Sequence, residues 1–299
     1  MVTLTYAEMC RYPDLKFHMV HSVFPGQACQ MHDHEFTELV IVRHGRARHR
    51  VNDGEFALEA GDAFVVRPED VHGYEAMEGL DLLNILFCPD QFLPPQSDLR
   101  RLPGFHMLFH LEPLYRDTHH STSRLRLQPD ALRQVYDIVE PMEREYEGGE
   151  PGFECQIRAY FNLLVVYLCR LYGEQRTPGA GELLRLSRVQ SHLHTHYGEL
   201  ITLDELAAMA SMSKNTFLRA FRRCYGSSPM SYLARVRLAK ACELLATSDR
   251  SVTAIAQSVG FADHSHFTRT FHKAYGRSPR EYRRNFQFIP QPSAHAGRA

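Results

Sequence analysis

The sequence predicts a multi-domain α+β protein, with an N-terminal β-barrel followed by helices and a C-terminal all-α domain. The second domain contains two helix–turn–helix motifs joined by a long helix. Three observations support this fold class. Short apolar segments run through residues 18–88, helical periodicity begins at residue 129, and an internal repeat occupies residues 182–286. The chain has 299 residues, which is enough for about two domains.

The first part of the chain, residues 1–128, predicts the barrel. Apolar and β-branched runs predict short strands separated by turn residues. These runs lie at 36–42, 47–51, 63–66 and 82–87. The pair His44-Gly45 predicts a turn between the first two runs. Many short strands at regular spacing are typical of a small barrel or sandwich.

Residues 129–172 predict a pair of helices. The first helix is broken by Gly148-Gly149, and the second, residues 153–172, is apolar on nearly all sides. Such a helix is buried on more than one side. A partner subunit or the chain's own barrel would provide this burial, and the sequence leaves both open. Residues 173–181 are rich in glycine, proline and polar residues without periodicity, which predicts a linker.

The distribution of charge also divides the chain at the predicted linker. The formal net charge of the whole chain is −1. Residues 1–180 contain 17 lysines and arginines against 27 aspartates and glutamates, whereas residues 181–289 contain 16 against 8. An acidic half joined to a basic half indicates that only the second half binds a polyanion.

Composition favours a protein of the cytoplasm. The seven cysteines are scattered without a C-x-x-C pair, which argues against a disulfide framework. The chain starts without a basic segment followed by an apolar one, so we expect no signal peptide. No apolar run approaches the roughly 18 residues that a membrane span needs, so we expect no membrane contact.

The last part, residues 182–289, predicts a helical domain built on an internal repeat. Two phenylalanines, an arginine, a Gly-x-x-Pro turn and a tyrosine recur with an offset of 50 residues. The pairs are Phe217/Phe267, Arg219/Arg269, Phe221/Phe271, Gly226/Gly276, Pro229/Pro279 and Tyr232/Tyr282. Helical periodicity alone does not reproduce this set, so the domain contains two copies of a helix–turn–helix unit. A helix over residues 231–245 would hold the copies about one DNA turn apart.

The second helix of each copy has an apolar face and a polar, basic face. The polar face begins at the start of the helix, where side chains suit the base edges and phosphates of a major groove. A solvated surface helix shows the same division, but the duplication and the positive charge favour DNA binding. The residues predicted to contact DNA are Asn215, Thr216, Arg219, Arg222, His264, Ser265, Thr268 and Arg269.

A longer pattern identifies the family of this domain. It reads Ile255-Ala256-x-x-Val259-Gly260-Phe261, then Phe267-x-Arg269-x-Phe271, then Gly276-x-x-Pro279-x-x-Tyr282-Arg283. With it, residues 182–286 resemble the DNA-binding domain of the AraC/XylS family of bacterial transcription regulators. The resemblance implies that two motifs read adjacent major grooves and that RNA polymerase is a partner. The implied base-contacting positions are Asn215, Arg219, His264, Ser265 and Arg269. A further family position is Leu218, which offers only apolar contact.

One segment of the N-terminal part places two histidines and a glutamate at a distinctive spacing. It reads Gly26-x5-His32-x-His34-x3-Glu38-x6-Gly45. This spacing resembles the first motif of the cupin barrels at every position. Since His32 and His34 are two residues apart on a predicted strand, their side chains point to the same face.

A second segment, Gly61-x10-His72, resembles the second cupin motif. Here Arg67 stands at the usual proline position, and no asparagine follows His72. The resemblance implies that four side chains from the two segments converge inside the barrel. They are His32, His34, Glu38 and His72. Such a set suits a divalent metal ion such as Zn, Ni, Mn or Fe, and it can instead hydrogen-bond a sugar.

Three segments extend the family resemblance over the whole chain. They are His32-Asp33-His34-Glu35-Phe36-Thr37-Glu38, Phe64-Val65-Val66-Arg67 and Leu83-Asn84-Ile85-Leu86-Phe87. Through them the chain resembles the rhamnose-responsive regulators of that family. This likeness implies a sugar effector such as L-rhamnose in a pocket lined by five side chains. These are His32, His34, Glu38, Arg67 and His72.

We therefore expect a transcription regulator controlled by a small molecule, and not an enzyme. Its barrel binds the effector, residues 129–172 pair two subunits into a homodimer, and the basic domain binds double-stranded promoter DNA. One alternative is a ligand-independent DNA-binding regulator whose barrel only dimerises. Another is a metal-dependent cupin enzyme fused to a DNA-binding domain.

Overall fold

The computed structural model describes residues 2–24, 29–68, 70–94, 97–114, 124–174 and 181–287. The chain divides into two compact units, Met1–Ser191 and His192–Ala299. This division falls ten residues after position 182, where the sequence predicts the start of the DNA-binding domain. Residues 175–180 of the predicted linker lie outside the described part of the chain.

Within the described residues, the N-terminal unit contains one eight-stranded sheet. Its strands are β1 (Val2–Leu4), β2 (Phe17–Phe24), β3 (Cys29–His34), β4 (Thr37–Val51), β5 (Gly54–Glu59), β6 (Asp62–Val66), β7 (His72–Phe87) and β8 (Leu125–Arg126). The strand order is β1-β3-β7-β4-β6-β8, with β2 paired to β7 and β5 paired to β4. The β1–β3 pair is parallel and the other pairs are antiparallel.

The two longest strands, β4 and β7, pair with each other from end to end and are shared by both halves of the sheet. In one half β2 and β6 flank them, and in the other half β3 and β5 do. Gly45 lies between the halves with a φ of +79°, and a Cβ there would be 2.2 Å from the Gly79 carbonyl oxygen. Only glycine fits such a close approach.

The bend at Gly45 changes which residues of β4 face the core. Before it, Val40 and Val42 are buried in the core cluster, and after it Ala47 and Val51 are buried. Register shifts between Val42 and Arg48 cause this change from even to odd positions. The turn predicted at His44-Gly45 is therefore wrong, because β4 continues through it as one bent strand.

Helices complete the N-terminal unit. They are α1 (Tyr6–Met9), α2 (Pro89–Phe92), α3 (Pro103–His106), α4 (Pro129–Gly148) and α5 (Phe153–Glu174). α4 ends at Gly149, which has a φ of +63°, as a left-handed C-cap requires. Phe161 of α5 packs on the sheet residue Phe87 with ring centroids 4.7 Å apart. The chain's own sheet thus covers one side of α5, whereas Leu163 on another side is 53% exposed.

The C-terminal unit is helical. A helix spanning the division, α6 (Gly181–Thr195), leads into α7 (Leu203–Met209), α8 (Lys214–Tyr225), α9 (Pro229–Thr247), α10 (Val252–Ser258), α11 (His264–Tyr275) and α12 (Pro279–Gln287). The pairs α7–α8 and α10–α11 are the two helix–turn–helix copies, and α9 joins them. The predicted fold class is confirmed. None of the described helices has both the length and the apolar composition that crossing a membrane requires.

Local hydrogen bonds fix where the second helix of each copy begins. The Ser213 hydroxyl accepts the Thr216 backbone N–H at 3.3 Å. The Asp263 carboxylate accepts the backbone N–H groups of Ser265 and His266 at 2.9 and 3.0 Å. These N-caps satisfy donors that have no partner inside the helix.

Candidate functional site

Three of the four predicted cupin side chains form a buried cluster in the N-terminal unit. His34 ends β3, Glu38 lies near the start of β4, and His72 begins β7, which pairs with both other strands. The Nε2 atoms of His34 and His72 lie 3.6 and 3.4 Å from Glu38 Oε2. Each of the three side chains is at least nine-tenths buried.

Hydrogen bonds to the backbone orient the imidazole rings. His34 Nδ1 lies 2.7 Å from the Phe36 carbonyl oxygen. Because a carbonyl oxygen only accepts, this Nδ1 carries the proton and Nε2 keeps its lone pair. His32 Nδ1 makes the same kind of bond, at 3.0 Å, to the Gln30 carbonyl oxygen. Both rings therefore present Nε2 as an acceptor or a metal ligand.

Burial sets the protonation state of the cluster. It lowers the pKa of His34 to about 4 and raises the pKa of Glu38 to about 8, because each charged form loses its hydration. At neutral pH the His34 imidazole is uncharged and the Glu38 carboxyl holds its proton. The cluster then combines an imidazole lone pair with a carboxyl O–H donor.

The donor atoms fit a divalent metal ion. Ligands about 2.1 Å from a tetrahedral ion lie about 3.4 Å from one another, close to the two separations above. The three ligand atoms all lie within 4.8 Å of one another. Among the described residues, the buried atoms His34 Nε2 and Glu38 Oε2 have no hydrogen-bond partner. A cation here would favour the Glu38 carboxylate.

The same atoms fit a hydroxyl-bearing ligand. A hydroxyl group can donate to an imidazole Nε2 and accept from the protonated Glu38 carboxyl. Such contacts would satisfy the buried polar atoms without a charge. The geometry is thus compatible with both interpretations of the motif, a metal centre and a polar ligand pocket.

Two of the predicted pocket residues are not members of this three-residue cluster. The His32 ring is 4.5 Å from the His72 ring, but among the described residues His32 is not part of the group of converging ligand atoms. Arg67 pairs with Asp70, with Nη2 and Oδ1 2.7 Å apart. Gly26, at the start of the motif, lies outside the described residues.

Sequence reasoning missed two polar side chains beside the cluster. His49 is 1% exposed, and its Nε2 lies 3.3 Å from His72 Nδ1, so it orients His72 from behind. Asn84 is buried on β7 opposite Val40, on the same face as Glu38. The alternation of residues 47–51 signals that position 49 faces inward. The single asparagine in the apolar run 82–87 is the signal for Asn84.

The second helices of the two copies, α8 and α11, carry the predicted DNA-binding residues. Phe217 and Phe221 of α8, and Phe267 and Phe271 of α11, are fully buried. Seven of the eight predicted DNA-contacting side chains are exposed. They are Asn215, Thr216, Arg219, Arg222, His264, Ser265 and Arg269. Thr268 is only partly exposed, and its hydroxyl oxygen is buried.

Family models match both units of the chain. Residues 19–148 match an AraC-like ligand binding domain, which includes the histidine–glutamate cluster. Residues 206–285 match a helix-turn-helix domain, which includes α8 and α11. The two matches cover separate parts of the chain, in the order that the sequence predicts.

Curated relatives are similar over most of the chain. The HTH-type transcriptional activator RhaS of Escherichia fergusonii is 34% identical over 263 residues, covering 87% of this chain and 89% of the relative. The protein of the same name from Enterobacter sp. (strain 638) is 33% identical with the same coverage. That from Salmonella arizonae is 33% identical and covers 89% of this chain and 92% of the relative.

Proposed function

Because the chain belongs to the AraC family of ligand-responsive, DNA-binding transcription regulators, we propose that it activates transcription in response to a sugar. L-rhamnose is the first candidate, since the sequence resembles the rhamnose-responsive regulators. Relatives named transcriptional activators support the direction of control. The observation that carries the sugar-binding proposal is the buried cluster of His34, Glu38 and His72.

The chemistry of the cluster suits a polyhydroxy ligand. Neighbouring sugar hydroxyls donate to the Nε2 atoms of the histidines, and one of them accepts from the Glu38 carboxyl. His32 and Arg67 complete the pocket in this proposal. A divalent ion, when bound, would be held by His34, Glu38 and His72 and would attract hydroxyl oxygens by its charge.

The DNA-binding part of the proposal assigns base contacts to α8 and α11. Arg219 and Arg269 suit guanine, and Asn215 suits adenine. The remaining contacts to bases and phosphates come from His264, Ser265, Thr216, Thr268 and Arg222. Two motifs on one chain would read two successive segments of a promoter.

The partners in this proposal are a second copy of the chain and RNA polymerase. In this proposal the dimer interface covers α5, where Leu163 is 53% exposed. Control then requires a coupling free energy, in which the sugar favours one state of the dimer over another. The linker at 173–181 transmits that state.

Thermal unfolding of the full chain tests sugar binding. A ligand at 100 times its dissociation constant stabilises the folded state by about 2.7 kcal/mol. We expect L-rhamnose to raise the melting temperature of the wild type and of His21→Gln, a control at a partly exposed histidine beside Glu143. We expect no such rise in His34→Gln.

A chelator distinguishes the two forms of the site. A sugar response that a chelator abolishes and zinc restores would assign an ion to the cluster. A response that persists in the chelator would assign direct hydrogen bonding. If no sugar raises the wild-type melting temperature, or if His34→Gln responds fully, this part of the proposal is wrong.

A further inference from the structure

A surface pocket lined by arginines lies in the C-terminal unit, at the start of the second helix–turn–helix copy. Its volume is about 490 Å³. The first residues of α10 and one face of α12 form its walls. The lining residues are Ser251, Val252, Thr253, Arg280, Arg283 and Arg284. None of these is a carboxylate, so the pocket carries a concentrated positive charge.

The arginines of this pocket have unused hydrogen-bonding capacity. Within residues 181–287, none of Arg280, Arg283 and Arg284 forms an ion pair with a carboxylate. The Arg283 guanidinium donates one bond to the Arg250 carbonyl oxygen. Its Nε is buried and has no acceptor among the described residues. A buried donor without an acceptor costs free energy, so an acceptor from outside the chain would complete the pocket.

The nearest acidic residue on α12 is already engaged. Glu281 accepts hydrogen bonds from the Ser278 backbone N–H and hydroxyl, each at 2.7 Å. These bonds hold its carboxylate at the beginning of α12 as a cap. Glu281 therefore serves the helix terminus, and the guanidinium groups keep further donors for another anion.

The first copy of the repeat does not contain these arginines. Subtracting the offset of 50 gives the matching positions. Arg280, Arg283 and Arg284 correspond to Met230, Leu233 and Ala234. Upstream of the turn the offset is 49, as Leu206 and Ile255 show, so Asp204 in the first turn of α7 takes the position that Thr253 has in α10. Asp204 pairs with Lys214 at 2.7 Å. The corresponding corner of the first copy is thus apolar and acidic.

Both copies nevertheless pack in the same way. The ring centroids of Tyr225 and Tyr232 are 5.8 Å apart, and those of Tyr275 and Tyr282 are also 5.8 Å apart. The packing of the repeat therefore does not require arginines at these positions.

We propose that this pocket binds a backbone phosphate of duplex DNA and anchors the second copy, an inference that rests on the proposed DNA-binding function. Guanidinium groups bind phosphate oxygens through paired N–H donors. In helix–turn–helix proteins the second helix lies in the major groove and the first helix crosses the backbone. The pocket lies beside that first helix, α10, where a phosphate passes.

The test compares two double variants with equal changes in charge. Arg280→Ala/Arg284→Ala removes two exposed arginines of the pocket. Arg133→Ala/Arg144→Ala removes two exposed arginines of α4, in the other unit. Fluorescence anisotropy measures the affinity of each full chain over a range of salt concentrations. The probes are a duplex that the wild type selects from a random pool and a random duplex of equal length.

Weaker phosphate binding has a defined signature. The slope of log affinity against log salt should fall by about 0.9 for each phosphate that the variant no longer neutralises, which is about eightfold in affinity near 0.1 M salt. We expect this decrease on both duplexes in the pocket variant and wild-type values in the α4 variant. Melting temperatures verify folding, and Arg284→Ala alone should show a smaller decrease than the double variant.

Three outcomes would overturn the inference. The first is an unchanged salt slope in the pocket variant. The second is a decrease restricted to the selected duplex, which would make these arginines base-reading. The third is an equal decrease in the α4 variant, which would reflect net charge alone. If the wild type binds no duplex at all, the proposed DNA-binding function itself fails.

Discussion

Replacing Glu38 with glutamine removes one ionisable group from the buried cluster and preserves the shape of the side chain. Glutamine has the shape of the protonated carboxyl and cannot ionise. In the wild type, burial raises the pKa of Glu38 from 4.5 to about 8. The unfolded chain releases this proton near its ordinary pKa, whereas the folded chain retains it at neutral pH. The folded wild type therefore loses stability as the pH rises from 4.5 towards 8.

The expected magnitude follows from the interval between the two pKa values. Each pH unit above 4.5 removes about 1.4 kcal/mol of stability until the folded carboxyl ionises. At pH 7 the free energy of unfolding of Glu38→Gln should exceed that of the wild type by about 3 kcal/mol. At pH 5 the difference should be below about 1 kcal/mol.

Urea unfolding between pH 5 and pH 8 measures this difference. The chain contains 14 tyrosines and no tryptophan, so tyrosine fluorescence and far-ultraviolet circular dichroism are the signals. The free energies of unfolding of the wild type and the variant are compared for the unfolding transition that the substitution shifts. A chelator in the buffer excludes metal ions. A wild type more stable than the variant at pH 7 would contradict a buried, protonated Glu38. It would mean that the Glu38 proton has moved to a histidine and that an ion pair stabilises the cluster.

Three further substitutions have defined expectations. Arg219→Ala should weaken binding to a specific duplex by about 1–3 kcal/mol and binding to random DNA by much less. Fluorescence anisotropy at fixed salt measures both affinities, and equal losses would show that Arg219 contacts only phosphate. Gly45→Ala should lower the free energy of unfolding by more than about 1 kcal/mol, because a positive φ and contact with Gly79 both oppose a Cβ; an unchanged urea midpoint would contradict this. Ser213→Ala should lose about 1 kcal/mol by removing the cap on the Thr216 N–H; Ser213→Asn, which can keep the cap, should stay near the wild type, and equal melting temperatures in both variants would show that the cap contributes nothing.

Local patterns predicted the C-terminal unit well. Its helix starts depend on capping residues such as Ser213 and Asp263, whose partners lie two or three residues away. Its repeat compares the chain with itself, so it needs no knowledge of distant contacts. Thr268 was harder to predict, because it lies at the edge of the face defined by Phe267 and Phe271, where small rotations decide exposure.

The barrel was predicted less completely because its site depends on long-range register. A strand alternates faces only while the pairing is regular. Glu38 and His49 both face inward on β4, although one is at an even and the other at an odd position. The irregular pairing near Gly45 makes this possible. A second register shift, between Cys29 and His32, affects the strand that carries two motif histidines. The spacing of the motif residues therefore predicted a cluster but not which side chains form it.

The pairing of Arg67 with Asp70 shows a further limit of motif reasoning. The resemblance to the rhamnose-responsive regulators placed Arg67 in the pocket because of its position, without reference to its neighbours. The structure gives it a carboxylate partner three residues away, with Asp70 itself 1% exposed. A local ion pair of this kind holds the loop before β7, and it leaves the role of Arg67 in ligand binding as a prediction.

The DNA affinity of the full chain, measured with and without L-rhamnose and several other sugars, decides whether the N-terminal unit controls DNA binding. Fluorescence anisotropy at one salt concentration compares the selected duplex with a random duplex, since phosphate contacts make affinity strongly salt-dependent. We expect that one sugar changes affinity for the selected duplex alone and that His34→Gln abolishes the change. Specific binding that no sugar alters, with or without added zinc, would contradict it.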